Sequence, residues 1–182
     1  LPLWIDRRRL GPERRISYDV FRRDKLEQIA FLQPDVRELI GVRPLNHFGG
    51  LHVDFPTLMA SDGAVSYATE ADYRNALALD AAFAQVLDNA VLRFRQGIAA
   101  GVVDSKLTTG NMIGQLDAMI AQPVEQSPFY SPVLKFPASV PPDRQEQLKS
   151  AFAATISTRI VPAYRRLRDF LAVQYLPAAR EA

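Results

Sequence analysis

The stretch TEADYRNALALDAAFAQVLDNAVLRFRQGIAAG, Thr69 to Gly101, decides the fold class. Tyr73, Leu77, Ala84, Leu87, Val91, Phe94 and Ile98 recur along it at three- and four-residue steps, broken only where Asp80 falls on the stripe. An apolar stripe with that period is an amphipathic helix buried along one side. Thr69 stands at its cap with Asp72 three residues on, so that hydroxyl and carboxylate can both satisfy free backbone N–H groups. Gly101 is the natural stop, because it can take a positive φ after the last turn.

Working outward, a second long helix opens at Val140-Pro141-Pro142-Asp143, where Pro142 is tolerated because the first turn needs no backbone donor. Its stripe is Leu148, Phe152, Ile156, Ile160, Tyr164, Leu167 and Leu171, continuing towards Tyr175. Pro162 lies inside the pattern and is expected to bend the helix, and Pro177 to end it. A weaker helix runs from about Glu13 to Leu32 with Ile16, Val20, Leu26, Ile29 and Ala30 on its apolar side, ending before Pro34. Another runs from about Leu107 to Ala121 with Met112, Ile113, Leu116, Met119 and Ile120. No segment alternates as a strand does. The sequence therefore predicts an all-α fold over residues 1–182, a single helical domain built as an irregular bundle of about four main helices. The last helix should be long and kinked near Pro162, and the connections Gln33 to Ala68 and Gln122 to Ser139 should be two long ordered loops. Ordered loops of that length are more often functional or packed against a neighbour than idle.

At 182 residues and 48% hydrophobic content the chain can bury a real core. The net charge of +2, from 22 basic and 20 acidic residues, is interspersed in sign, so no basic stripe tracks a phosphate backbone and nucleic acid is not an expected partner. Arg7-Arg8-Arg9, Arg14-Arg15 and Arg22-Arg23 have Asp6, Glu13, Asp19 and Asp24 among them, as on a solvated, salt-bridged helix face. The absence of cysteine excludes disulfides, thiolate metal sites and cysteine nucleophiles. No run of roughly 18 apolar residues offers a membrane span. The opening Leu1-Pro2-Leu3-Trp4, without methionine, fits a portion of a longer product or a mature form.

Both histidines lie in PLNHFGGLHVDFP, Pro44 to Pro56. His47 and His52 are five apart, not at the i and i+4 spacing of a helical zinc pair, and Gly49-Gly50 between them places both in a loop. With Asp54 they make three nitrogen and oxygen ligand types within eight residues, too little pattern to assign a metal. The competing reading is a loop in which a histidine hydrogen-bonds backbone and the glycine pair supplies a turn. No Gly-x-Ser-x-Gly elbow or phosphate-binding glycine loop occurs, and Ser66, Ser105 and Ser127 have no histidine near them in sequence. No catalytic residue is assigned. Ser127-Pro128-Phe129-Tyr130-Ser131-Pro132 is either a recognition edge or, as aromatics more often are, a clamp packed over the bundle.

Taken in order, SYDVFRRDKLEQ (Ser17 to Gln28), PLNHFGGLHVDFPTLMA (Pro44 to Ala60), ATEADYRNALALDAAF (Ala68 to Phe83), RFRQGIAAGVV (Arg93 to Val103), QLDAMIAQPVEQSPFYSPVLKFPASVP (Gln115 to Pro141) and VPAYRRLRDFLAVQYLPAAR (Val161 to Arg180) resemble the bacterial domain-of-unknown-function family 885. The resemblance spans nearly the whole chain. It implies a largely helical protein, periplasmic, secreted or lipid-anchored, belonging to a group of zinc metallopeptidases whose His-Glu-x-x-Pro-Gly-His segment lies downstream of the matched region. By that resemblance the chain is the amino-terminal portion of such an enzyme, packed on a carboxy-terminal half that supplies the zinc and reaches the peptide substrate. Neither histidine here is followed by glutamate, so the zinc ligands and glutamate base are not placed in this chain. Asn46, His47, Gly49 and Gly50 are then candidates for substrate binding, since an Asn side chain and exposed loop backbone can match the N–H and C=O groups of a peptide. The alternative is a stand-alone helical module that binds a peptide or a protein.

Overall fold

The computed structural model describes residues 5–181, so Leu1-Pro2-Leu3-Trp4 lie outside it. Among the described residues every named element is helical, and the chain divides after Gly41 into two compact units.

The first unit holds a 3-10 turn, Arg7–Arg9, and the helices α1 (Pro12–Phe31) and α2 (Pro34–Gly41). Pro12 opens α1 in the first turn, where its missing N–H costs nothing. The basic run is salt-bridged in part: Arg7 donates twice to Asp19 at 2.6 Å and Arg23 pairs with Glu27 one turn on, whereas Arg15 donates to the Leu10 and Arg8 carbonyls. The apolar side of α1 exists, with Ile16, Val20, Leu26 and Ile29 along it, but no residue of α1 is buried. One long and one short helix oppose too little apolar surface to enclose it.

The second unit contains the core. Its helices are α3 (Leu51–Met59), α4 (Glu70–Ala100), α5 (Lys106–Ala121), α6 (Pro142–Thr155), α7 (Val161–Phe170) and α8 (Leu176–Ala178), with 3-10 turns at Val124–Gln126 and Pro128–Val133. α4 starts and stops where its sequence dictates. The Thr69 hydroxyl accepts from Asp72 N–H while Asp72 Oδ2 accepts from Thr69 N–H at 2.7 Å, and Gly101 closes the helix at φ 68°. α7 packs against both α4 and α5. The stripes meet as fully buried Tyr73, Leu87 and Phe94 from α4, Met112 and Leu116 from α5, and Phe152, Tyr164 and Leu167 from α6 and α7. Each such side chain contributes roughly 1.5–3 kcal/mol. Outside the apolar seam, Arg166 reaches Asp88 of α4 through two bonds of 2.8 Å, and Arg168 reaches Asp117 of α5 at 2.8 Å.

The last helical run is long, as predicted, and the disturbance around its prolines takes a definite form. A five-residue π segment, Ile156–Ile160, joins α6 to α7 two residues before Pro162, and a second, Leu171–Tyr175, precedes Pro177 by the same interval. Each π turn is closed by the residue before the proline, with Val161 N–H on the Ile156 carbonyl and Leu176 N–H on that of Leu171. The proline, which has no N–H to offer, falls where the wider turn returns to α geometry. Helix ends at Ala178, one residue beyond Pro177.

Helices also fall where the sequence reading places the first long loop. α2 and α3 both lie between Gln33 and Ala68, and His52 is on α3. Their shortness, and Pro34 and Pro56 within the segments, hide the periodicity that marks longer helices. The second connection is the clamp: Phe129, Pro132 and Val133 are buried, and Phe129 lies beside Phe55 and Phe83 at ring separations of 6.1 and 5.9 Å. Ser131 fastens it, donating to the Pro128 carbonyl and accepting from Ser61 N–H.

Candidate functional site

The turn Asn46 to Gly50 is built by its own side chains. Asn46 Oδ1 accepts from Phe48 N–H at 2.9 Å and from Gly49 N–H at 3.2 Å, while Asn46 N–H donates to the Gly49 carbonyl at 3.2 Å. An Asn followed by such a turn satisfies the backbone locally. Gly50 then takes φ 139° and ψ 158°, a region reached essentially only by glycine, and a Cβ there would stand 3.2 Å from Leu45 Cδ2 and 3.3 Å from His52 Nδ1. From this strained residue α3 begins. Asp54 caps it by accepting from Gly50 N–H at 2.8 Å.

Pro56 lies inside α3 and cannot donate to the carbonyl four residues back, which belongs to His52. Tyr164, from α7, supplies the donor: its hydroxyl meets the His52 carbonyl at 2.7 Å in the buried interior. Burial raises the Tyr164 pKa well above the ordinary phenol value, which keeps the hydroxyl protonated as a donor.

The His52 ring, 1% exposed, faces α5. Gln115 Nε2 donates to the His47 carbonyl at 2.9 Å, which turns the amide oxygen towards His52 Nε2 at 3.2 Å. An amide oxygen only accepts, so His52 carries its proton on Nε2. Burial lowers the pKa of His52, so the neutral ring is favoured. Two further helices thus hold the turn, α7 with Tyr164 on the His52 carbonyl and α5 with Gln115 on the His52 ring and the His47 carbonyl.

The turn presents one large apolar side chain to solvent: Phe48, 90% exposed at the tip and packed on the His47 ring at 3.9 Å between centroids. His47 itself is half-buried. The arrangement assigns the predicted site residues as follows. Asn46 and Gly49 make the turn, Gly50 makes the entry to α3, and His47 supports Phe48 and lends its carbonyl to Gln115. Phe48, Gln115, Pro56 and Tyr164 complete the site; the sequence singles out none of them for it and reads Tyr164 only as part of the core stripe. Pro56 carries the available signal, since a proline in a helix implies an outside donor for the carbonyl four residues earlier.

His52 Nε2 is engaged by Gln115 and Asp54 Oδ2 by Gly50 N–H, and no group of three or more His, Cys, Asp or Glu able to hold a metal occurs among the described residues. No helix among them is long and apolar enough to cross a membrane.

No curated protein and no solved structure matches the chain. The model of a family described as bacterial protein of unknown function, DUF885, matches residues 2–182, and the chain belongs to that family.

Proposed function

We propose that this chain is the non-catalytic, amino-terminal helical portion of a zinc-dependent peptidase, exported from the cell, and that the Asn46–Gly50 turn forms part of one wall of the substrate cleft. The observation that supports this is an exposed aromatic on a preorganised turn. The Phe48 backbone N–H is bonded to Asn46 Oδ1, and the turn is braced at the His47 carbonyl from α5 and at the His52 carbonyl from α7, so little backbone ordering entropy is lost when a peptide settles on it. Asn46 Oδ1 is occupied within the turn, which leaves the amide NH₂ as the group it can offer a peptide carbonyl. The metal and its ligands belong, in this reading, to the downstream half of the parent, on which this portion packs.

A second reading has support of its own: a stand-alone helical module that binds a peptide or a protein. Gln115 and Tyr164, which hold the turn, are both in this chain, so its shape does not require another domain. Catalysis separates the two. The chain alone, given zinc ions and a mixture of peptides, should cleave none, whereas the parent carrying the downstream half should cleave them and lose catalytic efficiency on Phe48→Ala. A parent that binds no zinc, or cleaves peptides equally well as Phe48→Ala, contradicts the peptidase reading.

A further inference from the structure

α4 and α7 run side by side in the same direction, with Phe83 beside Tyr164 and Phe94 beside Tyr175, and the π turn Leu171–Tyr175 continues α7 along the same wall. Between them lies an open groove of about 560 Å³, within the range of about 300–1,000 Å³ typical of small-ligand sites. It runs from Asp88 to Arg95 on α4 and from Arg166 to Gln174 on the other side, roughly two helical turns on each wall and so about 10 Å long. Val91 and Phe170 are buried and form its floor, while Leu92 and Val173 are exposed at its edges. Val173 and Gln174 come from the π turn, a feature that recurs at functional sites. None of these residues belongs to the Asn46–Gly50 turn or braces it.

The two ends of the groove differ in charge. At one, Arg166 donates to both carboxylate oxygens of Asp88 at 2.8 Å, and this planar clasp neutralises itself. At the other, the Arg95 guanidinium lies over the Phe170 ring, 5.3 Å from its centroid, and makes no ion pair and no side-chain hydrogen bond among the described residues. A guanidinium stacked on a ring keeps its N–H donors in its own plane, free to meet an acceptor at the edge. Asp169, the other acid of the groove, is bonded by Arg168 at 3.2 Å. Arg95 is therefore the charge of the groove that no counter-ion among the described residues balances. The register that sets Arg166 opposite Asp88 also sets Val173 and Gln174 opposite Arg95, so an amide can add a second donor at this end.

We propose that this groove binds a medium-chain monocarboxylate, the class of the free fatty acids, with its acyl chain between Leu92 and Val173 on Val91 and Phe170 and its carboxylate on the Arg95 guanidinium. The apolar floor and edges take the chain, and the planar fork of Arg95 matches a carboxylate with two parallel N–H bonds. The Asp88–Arg166 clasp closes the far end and limits the chain to the length of the groove. That clasp also weighs against a docked helix, whose apolar strip would have to run on over further turns. A ligand with an acid but no chain leaves Leu92 and Val173 exposed, and one with a chain but no acid leaves Arg95 without a counter-ion.

Titration of the chain with octanoate, followed by amide NMR, tests this. Saturable shifts should centre on residues 88–95 and 166–174, with the Asn46–Gly50 amides unmoved. Octanol, which offers the chain alone, and acetate, which offers the acid alone, should each bind more weakly than octanoate. Arg95 is exposed, so Arg95→Gln should fold as wild type does; it should weaken octanoate about fivefold and leave octanol unchanged, and Arg95→Lys should restore part of the loss. Val173→Asp, at the exposed edge, should abolish the octanoate shifts by setting a like charge beside the ligand. Octanol bound as tightly as octanoate, octanoate bound equally by wild type and Arg95→Gln, or shifts that do not saturate or that centre on the turn at Phe48 would each overturn the proposal.

Discussion

At Pro56 a missing hydrogen atom organises the site. Its absent N–H leaves the His52 carbonyl to Tyr164, and the strut that steadies the turn follows from that exchange of donors. Tyr164→Phe should cost about 1–3 kcal/mol by stranding a buried carbonyl. In a Pro56→Ala background, where the backbone N–H is restored, the same change should cost less, and urea unfolding of the double-mutant cycle measures the difference. Equal costs in both backgrounds would show that the bond does not stand in for the missing helical one. Gly50→Ala should lower stability by about 1–3 kcal/mol, because no L side chain accommodates φ 139° and the new methyl would crowd Leu45 and His52. His52 should titrate below the ordinary imidazole range, with nitrogen NMR showing the Nε2–H tautomer at neutral pH. Asn46 and the glycine pair are legible in the sequence as turn chemistry. The roles of Gln115 and Tyr164 are not, because contacts 63 and 112 residues away from His52 leave no mark in local spacing.

Among the elements, α4 is legible in the sequence nearly to the residue because its stripe, its capping box and its stop all agree. Leu87, at its centre, is fully buried, and Leu87→Asp should abolish the cooperative unfolding transition at neutral pH, since an unpaired charge would be forced into the apolar seam. A soluble Leu87→Asp variant that melts cooperatively would contradict the packing. Further along, Gly97 lets two loops approach: a Cβ there would meet the Val102 carbonyl oxygen at 2.7 Å and that of Val42 at 2.9 Å. Both are backbone atoms and cannot turn aside, so Gly97→Ala should destabilise by about 1–3 kcal/mol. α3 escapes the pattern for the opposite reason. It is nine residues long, begins at a strained glycine, contains a proline, and owes its stability to tertiary partners that propensity does not see. At Pro162 the sequence predicts a bend and at Pro177 a stop; the structure places a π turn before each proline, where the chain widens by one residue to absorb it.

Across the molecule, apolar surface is enclosed unequally. The unit from Val42 onward encloses the core and both ends of the turn's support, while α1 in the preceding unit exposes its apolar side. Periodicity locates the apolar side of α1 but cannot say whether anything covers it. The geometry of the turn explains how its backbone is held. The most direct measurement is an NMR titration of the chain with a blocked peptide bearing a central aromatic residue. The account predicts saturable shifts centred on the His47 to Gly50 amides, abolished by Phe48→Ala in a protein that remains folded, with the peptide recovered intact. Shifts confined to other surfaces, or undiminished in Phe48→Ala, would contradict it.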